Sequence, residues 1–507
     1  MVAFKVVRFA KLLLLVSHVV EGSKLNKLHG VSHVGITTED LDISTRFYTD
    51  ILGGKLLSQI SEHGLFGDNI YQGMFAKELK DAEEKGVNPE SLGVPDISKN
   101  GNYQVRWNWV LFDNLMVQLL NFSPRSKADI RSEDYDDQEM VRKSSPAYIA
   151  APHLAFWVQD DTDLREYVME LERRSNAAGF EKIKCSRLTE IENEEDRYRV
   201  PIEAFASVYD GEDSMGGGGQ GWVYCKGPNG EQIEFIKFAK SSGDKIRDAF
   251  CARKSLTTKI YPAYKDNKYK RNVGFPGQLY GLHHIGIRTS SLDESIDFFS
   301  GILGGTLMEE LKGDHFFGSA LQNALFQTEM IKARQTNANY DDLGIGDFVK
   351  SDLELSLRFV LFDNFILEQL MYARKGDETK GYNPRHEKSS PALINNMQIG
   401  LQLHNDVKMD DFIDNVLKKS KSKFGKVIAN PIVDDPKLNG YKFAFVKGPM
   451  GEQLVFSQFT GKMADIIKSE MLAYGSLSTA YEETNPWTWE GFKEPCSEAA
   501  DTGHTEL

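Results

Sequence analysis

The sequence predicts an α+β protein assembled from four βαβββ modules. Three observations point there: a motif series that occurs twice, strands alternating in period two before a short helix, and a restart of that pattern inside each copy. Ile51-Leu52-Gly53-Gly54 returns as Ile302-Leu303-Gly304-Gly305, and Val110 to Asn114 returns as Val360 to Asn364. Lys143-Ser144-Ser145-Pro146-Ala147 returns as Lys388 to Ala392, and Gly230-Glu231-Gln232 returns as Gly451-Glu452-Gln453. The order is kept while the spacing shrinks, which is the mark of duplication followed by loop deletion.

The elements follow in order. Val31 to Thr37 alternates as a strand. Asp40 caps a helix whose apolar stripe reads Ile43, Phe47, Tyr48 and Ile51, and Gly53-Gly54 stops it. Strands follow near Lys55 to Ile60, Gln104 to Phe112 and Leu115 to Phe122, with Asp113-Asn114 as the turn between the last two. The pattern restarts with a strand at Pro152 to Gln159 and a helix at Asp163 to Ala178. Strands at Lys182 to Arg187, Gly221 to Lys226 and Glu231 to Phe238 complete it. The second copy runs over Gly281 to Tyr372 and Asn396 to Phe459, and a terminal helix is expected on each half. Polar inserts lie at Ala76 to Asn102, Pro124 to Ala150 and Thr189 to Gln220, and the Gly216 to Gly219 run that ends the last reads as a flexible linker or lid. The run Gly216 to Gly219 lacks the Lys-Ser/Thr of a phosphate loop, and the segment after Pro486 reads as disordered.

Length and charge bound the function. A chain of 507 residues exceeds one ordinary domain. A net charge of -14 argues against nucleic-acid or anionic-membrane partners. The four cysteines match no zinc motif, and one bridge, Cys185 to Cys225, is open to two adjacent strands. Lys5, Arg8 and Lys11 precede an apolar run from Leu12 to Val20, which reads as a signal or organelle-targeting segment over residues 1–22. That assigns the chain to the secretory pathway, with an organelle as the alternative.

Four polar side chains interrupt otherwise apolar strands: His33, Gln118, His153 and Glu234. Burying a carboxylate or imidazole is costly unless it is paired or bound to a cation. Two imidazoles, a carboxylate and an amide oxygen suit a divalent transition metal. Each histidine alone also fits a hydrogen-bonded core residue, and Glu234 alone fits an ion pair.

His33-Val34-Gly35-Ile36, Arg46-Phe47-Tyr48, Ile51 to Gly54 and the closing Gly227 to Glu234 resemble the vicinal oxygen chelate superfamily. That superfamily holds glyoxalase I, methylmalonyl-CoA epimerase, extradiol dioxygenases and antibiotic-resistance proteins. The resemblance implies two tandem domains, each a cup of two modules. The first domain spans 28–245 (modules 28–122 and 150–239) and the second 279–460 (modules 280–373 and 394–459). Residues 246–278 form a helix and linker between them, and 461–507 a helix and tail. It implies metal ligands at His33, Gln118, His153 and Glu234, a set most like that of methylmalonyl-CoA epimerase. The cofactor would be Zn, Co, Ni, Mn or Fe(II), and Glu234 would also carry the proton.

In the second copy His284 and Glu368 keep polar positions, whereas Gln398 and Val455 stand where His153 and Glu234 do. That half therefore reads as degenerate, with a weak site at His284, Glu368 and Gln398 as the alternative. His283 falls on the opposite strand face and reads as structural. The implied activity is an isomerase or lyase working through an enolate of a small substrate with vicinal oxygens. A Fe(II) dioxygenase and a non-catalytic ligand-binding protein are the alternatives. Two modules per half would complete a cup internally, so a monomer suffices and a homodimer is open.

Overall fold

The computed structural model describes residues 28–474 apart from loop stretches, the longest being 125–152, 203–219, 250–278 and 375–395. The targeting segment, Gly216 to Gly219, the Lys-Ser-Ser-Pro-Ala repeats, the tail after 474 and most of the 246–278 segment lie outside the described residues.

The chain is a mixed α+β protein with two curled sheets, as the motif series predicts. The first module supplies β1 (Leu28–Thr37), β2 (Lys55–Leu56), β3 (Tyr103–Leu111) and β4 (Met116–Pro124). The second supplies β5 (His153–Val158), β6 (Lys184–Cys185), β7 (Gln220–Lys226) and β8 (Gln232–Phe238). The third supplies β9 (Leu279–Arg288), β10 (Thr306–Phe316), β11 (Leu353–Leu361) and β12 (Ile366–Arg374). The fourth supplies β13 (Met397–Leu403), β14 (Ile428–Ala429), β15 (Val433–Asp434), β16 (Tyr441–Lys447) and β17 (Gln453–Phe459).

The sharing of modules differs from the expectation. One sheet runs β14-β16-β17-β13-β1-β4-β3-β2 with β15 on β16, and the other runs β10-β11-β12-β9-β5-β8-β7-β6. The first module thus shares a sheet with the fourth, and the second with the third. Each cup draws one module from each half of the sequence. The joints are antiparallel pairings of opening strands, β1 with β13 and β5 with β9. All four opening strands carry the same apolar alternation, so the pattern alone does not select partners.

Helices and ion pairs show what does. The first insert holds α1 (Leu41–Arg46) upstream and α2 (Asp68–Lys85) within it, and the second module holds α3 (Leu164–Ala177) and the short α4 (Glu194–Arg197). The third module holds α5 (Leu292–Ile296) and α6 (Ser319–Thr336), and the fourth α7 (Met409–Lys423), followed by α8 (Gly461–Tyr474). Glu329 on α6 receives Lys226 Nζ from β7 at 2.5 Å, and Glu78 on α2 receives Lys447 Nζ from β16 at 3.0 Å. The first pair is buried, the second is half-buried on its lysine side, and the two occupy matched positions in the duplication. Removing one partner of such a pair leaves a buried charge, at about 3–5 kcal/mol. The pairs therefore favour second with third and fourth with first.

The two sheets share one apolar core. Val34, Ile36, Val117, Leu154, Phe156, Phe235, Ile285, Leu367, Ile399 and Phe456 all lie in it. Repeated asparagines tie the sheets together: Asn114 bonds both backbone groups of Leu282 at 2.6 and 2.9 Å, and Asn364 bonds those of Val31 at 2.7 and 2.9 Å. Gly30 and Gly281 lie under these amides at φ +97° and +95°, and a Cβ there would overlap the asparagine. The asparagine after the strand, expected to form only a turn, is thus also a clamp between halves.

Local signals are otherwise as read. Asp40 accepts from Ile43 N at 2.9 Å, Asp163 caps α3 by accepting from Arg165 N at 2.8 Å, and Gly53 has φ +79°. The expected stripe changes in one place: Ile43 is exposed, while Leu41, Phe47, Tyr48 and Ile51 are buried. A π-turn over Phe47–Ile51 follows α1 and shifts the phase. The first insert is helical at its start, since α2 runs on through Ala76 to Lys85, and the long helices bury apolar faces. On α6, Leu321, Leu325, Phe326 and Met330 pack with Tyr224, Leu355, Leu370 and Tyr372 across the inner face of the second sheet. On α2, Ile70, Met74 and Phe75 join the matching cluster of the first sheet. Cys185 and Cys225 face each other on β6 and β7 and are joined by a disulfide.

The repeated Gly-Glu-Gln turn buries a carboxyl in each sheet. Glu231 accepts from Tyr48 Oη at 3.3 Å and from Asn229 N at 2.9 Å, and burial raises its pKa to about 6 despite them. Glu452 accepts from Met450 N at 2.9 Å, and burial raises it to about 7. Phe299 stands where the first copy has Tyr48. A carboxyl whose folded pKa is raised stabilises fully below the unfolded value of 4.5 and loses that contribution as pH climbs through the folded value. For Glu452 the loss between about pH 4.5 and 7 amounts to about 3 kcal/mol. Phe299→Tyr is expected to reduce that loss by supplying a hydroxyl. Urea unfolding at pH 5 and 8 checks it, and an identical fall in both proteins would contradict the assignment.

Candidate metal centre

The four central strands of the second sheet, β12-β9-β5-β8, each present one ligand-type side chain on the inner face. Register explains the convergence. Opposite Gly286 of β9 lie His153 of β5 and Glu368 of β12, while Ala155 of β5 faces both His284 of β9 and Glu234 of β8. Each half of the sequence contributes an imidazole and a carboxylate related by the pseudo-twofold axis between β5 and β9.

The donor atoms are close. His153 Nε2 lies 3.0 Å from Glu234 Oε2, 3.1 Å from Glu368 Oε2 and 3.1 Å from His284 Nε2. His284 Nε2 lies 3.0 Å from Glu234 Oε2 and 3.4 Å from Glu368 Oε2. All four ligand atoms fall within 4.8 Å of one another, and all four residues are buried. Metal bonds of about 2.1 Å at right angles put neighbouring donors about 3.0 Å apart. The observed separations fit that edge.

Directionality supports the same reading. Despite these short distances, Glu234 Oε2 and Glu368 Oε2 are not aligned to accept a hydrogen bond from either imidazole. The two imidazoles meet each other at Nε2, and the carboxylate oxygens crowd the same point. Charge agrees. Burial pushes both carboxyl pKa values up, but the His284 and His153 imidazoles outweigh it and hold them below the usual range. Burial pushes His284 down, and Glu368 and Glu234 outweigh it and raise it to about 9. His153 is raised against burial by the same carboxylates. Two buried carboxylates thus call for about two positive charges, which two imidazolium protons or one divalent cation supply.

The sequence-predicted ligands do not assemble as one set. His153 and Glu234 belong to this cluster. His33 on β1 and Gln118 on β4 face the inner side of the other sheet, where the matched positions from the fourth module are Gln398 and Val455. The epimerase-like set of His33, Gln118, His153 and Glu234 is therefore split between sheets, because modules pair across the halves. The half read as degenerate supplies two of the four ligands, His284 and Glu368. The alternative set of His284, Glu368 and Gln398 is split as well.

The other cradle has different chemistry. Its carboxylate position is Val455, and its imidazole, His33, is fully buried beside Trp109, Tyr441 and Phe459 with ring centroids 5.0, 6.4 and 6.5 Å away. Burial lowers His33 to about 3, so it stays neutral. A signal for the true grouping was present in the sequence. Pairing across the halves places both carboxylates and two of the three imidazoles in one cradle and leaves one imidazole, two amides and a valine in the other.

Three strand glycines accommodate these side chains. A Cβ at Gly286 would overlap the His153 ring, one at Gly400 the His33 ring, and one at Gly35 the Gln398 amide. The Gly of the His-Ile-Gly-Ile motif is therefore room for a ligand from the neighbouring strand.

Residues 30–235 match the family described as Glyoxalase/Bleomycin resistance protein/Dioxygenase superfamily. No curated protein matches the chain. Among solved structures it is similar to glyoxalase I from Zea mays, at 12% identity over 88% of this chain and 95% of that one, with a TM-score of 0.40. A putative dioxygenase from Bacillus subtilis subsp. subtilis str. 168 matches at 10% identity, covering 86% and 87%, with a TM-score of 0.38.

Elemental analysis of single variants checks the grouping. His153→Ala, Glu234→Ala, His284→Ala and Glu368→Ala are each expected to lose bound metal, and His33→Ala and Gln118→Ala to retain it. Loss in His33→Ala with retention in His284→Ala would restore the within-half grouping. Gly286→Ala is expected to weaken metal binding at least tenfold by displacing the His153 ring, measured by competition with a chelator. An affinity equal to wild type would show that the strand has room for the methyl.

Proposed function

We propose that this chain is a metal-dependent enzyme that moves a proton on a small acidic substrate bearing vicinal oxygens. The observation that carries the reading is the convergence of His153, Glu234, His284 and Glu368 on one buried point. A divalent cation bound there would act as a Lewis acid toward substrate oxygens.

The chain's own residues supply orientation and proton handling. Arg288 follows His284 and Gly286 on the same strand face, is buried, and lies over the Tyr372 ring at 4.8 Å. The first copy has Thr37 and Phe122 at these positions. The cradle with the donor cluster thus carries a buried cation at the Glu368 end where the first copy has a threonine, and it suits an anionic substituent of the substrate. Glu234 stands at the other end, where Tyr224 Oη reaches His153 Nε2 at 3.4 Å. We assign Glu234 as the carboxylate that takes and returns the proton. The helix α6 covers this face with apolar side chains, which limits water at the reacting carbon.

The second carboxylate separates this site from a two-histidine, one-carboxylate iron set, which favours proton transfer over dioxygen chemistry. The Cys185–Cys225 bridge and the apolar amino-terminal run support an oxidising, secretory location. Both cups close within one chain, so a monomer is sufficient for the site.

The test loads purified protein with Zn, Co, Ni or Mn and follows solvent deuterium entering a panel of 2-oxo acids and α-hydroxycarbonyl compounds by NMR. Wild type is expected to exchange the carbon-bound proton, and Glu234→Gln to lose it by at least a hundredfold. Metal binding without exchange would leave a ligand-binding protein, and oxygen consumption with iron would move the chain to the dioxygenases.

A further inference from the structure

His283 and His284 are adjacent on β9 at a register shift against β5, and the His283 ring packs among Trp157 and Phe238, on the same sheet face as the donor cluster, not the opposite face that strand alternation predicts. Their Nδ1 atoms approach to 2.8 Å. His284 Nε2 belongs to the donor cluster, so its lone pair faces His153, Glu234 and Glu368. A neutral imidazole carries its proton on the other nitrogen, so His284 Nδ1 holds the hydrogen. Only a lone pair on His283 Nδ1 can receive it, which places the proton of His283 on Nε2.

The surroundings of His283 hold it in that form. Its ring stacks on Phe238 at 4.7 Å and 25°, and meets the Trp157 ring edge-on at 5.2 Å. Among the described residues its Nε2 has no hydrogen-bond partner. An imidazolium in this apolar sandwich would be a buried charge without a partner. The matched residue of the first copy shows that a polar contact at this point is built into the strand: Ser32 Oγ lies 2.8 Å from His33 Nδ1. In the metal cradle a neutral ring replaces that hydroxyl.

We infer that His283 is a positioning residue for the metal centre, accepting the Nδ1–H of His284 and thereby fixing the tautomer and ring angle that aim His284 Nε2 at the other three ligands. The inference rests on the proposed metal site and extends it. It also carries a charge consequence. Histidine ligands are oriented by carboxylates, backbone carbonyls or water. A neutral imidazole in that role adds no negative charge, so the two ligand carboxylates of the cluster already balance a divalent cation. An added carboxylate behind His284 would make the centre a poorer Lewis acid.

The experiment compares wild type, His283→Leu and His283→Asn, whose Oδ1 keeps an acceptor near the Nδ1 position. Zinc affinity by chelator competition, and melting temperature with and without zinc, are read for each. His283→Leu is expected to lose about 10- to 100-fold in affinity and most of the zinc-induced rise in melting temperature. His283→Asn is expected to recover most of both. A packing role alone would lower the melting temperature of the metal-free protein in both variants and leave zinc affinity unchanged. Equal affinity in wild type and His283→Leu would overturn the inference while leaving the metal site intact. Failure of wild type to bind zinc, cobalt, nickel or manganese would overturn the metal site itself. Should His283→Leu not fold, long-range proton–nitrogen NMR of the zinc-loaded wild type decides instead. Protons on His284 Nδ1 and His283 Nε2 support the inference, and the reverse assignment for His283 ends it.

Discussion

The antiparallel pairing of β5 with β9 is the constraint on which the rest of the structure depends. It sets His153 opposite Gly286 and His284 opposite Ala155. A side-chain period of two means that a one-residue slip would send either imidazole to the convex face. The register is held from several sides at once. The Asn114 amide grips Leu282 at one end of β9, parallel partners β8 and β12 flank the pair, and the Lys226–Glu329 pair ties β7 to α6. The donor cluster is therefore a product of sheet register rather than of loop conformation, and rigid elements hold a site more tightly than loops do.

The same register explains the glycine, the alanine and the two carboxylates as one design. Neighbouring strands in a sheet are close enough that a large side chain on one needs a small residue opposite it. Gly286 gives way to His153, and in the other cradle Gly400 gives way to His33. Bringing two carboxylates and two imidazoles to within hydrogen-bonding distance costs desolvation that geometry alone does not repay, since the carboxylate oxygens are not aligned on the imidazoles. Such a cluster persists because a packed apolar core on the far side of the sheet carries it. Phe156 and Phe235 stack there at 5.9 Å, directly behind the strands that hold His153 and Glu234.

Much of this was legible in the residues. Period-two alternation gave the strands, Asp40 and Asp163 the helix starts, and the duplicated motifs the four modules. The polar interruptions marked the right strands, and two of the four named residues do lie in the donor cluster. What the sequence did not carry was the choice of partner for each opening strand. Val31 to Thr37 and the opening strand of the fourth module alternate alike, and so do those of the second and third. Partner choice depends on contacts between residues far apart in the chain, such as Lys447 with Glu78 and Asn364 with Val31. Each of these is one polar residue in a surface-like insert or turn, and none is conspicuous before its partner is known. The helix α6 was not read from the sequence, for a related reason. On α6 the buried positions include Asn323 and Gln327, whose amides donate to backbone carbonyls of the second module, so a helix that buries most of its surface shows little apolar periodicity.

Splitting the ligands across the duplication has a consequence for how the two cradles diverged. In a cup formed within one half, losing Glu at position 455 would have left the first half whole and the second dispensable. With cups shared between halves, the substitutions at Gln398 and Val455 remove function only from the cradle that also holds His33 and Gln118. The ligands His153 and Glu234 need His284 and Glu368 from the other half, so neither half is free to decay. The metal-poor cradle in turn keeps its fold by filling its interior with Trp109, Tyr441 and Phe459 around a neutral His33. Aromatic packing has replaced charge pairing there, and its sheet still shares the apolar core against which the donor cluster is built. The cradle without carboxylates thus supports the one that gathers the four donors, through the apolar core the two sheets share.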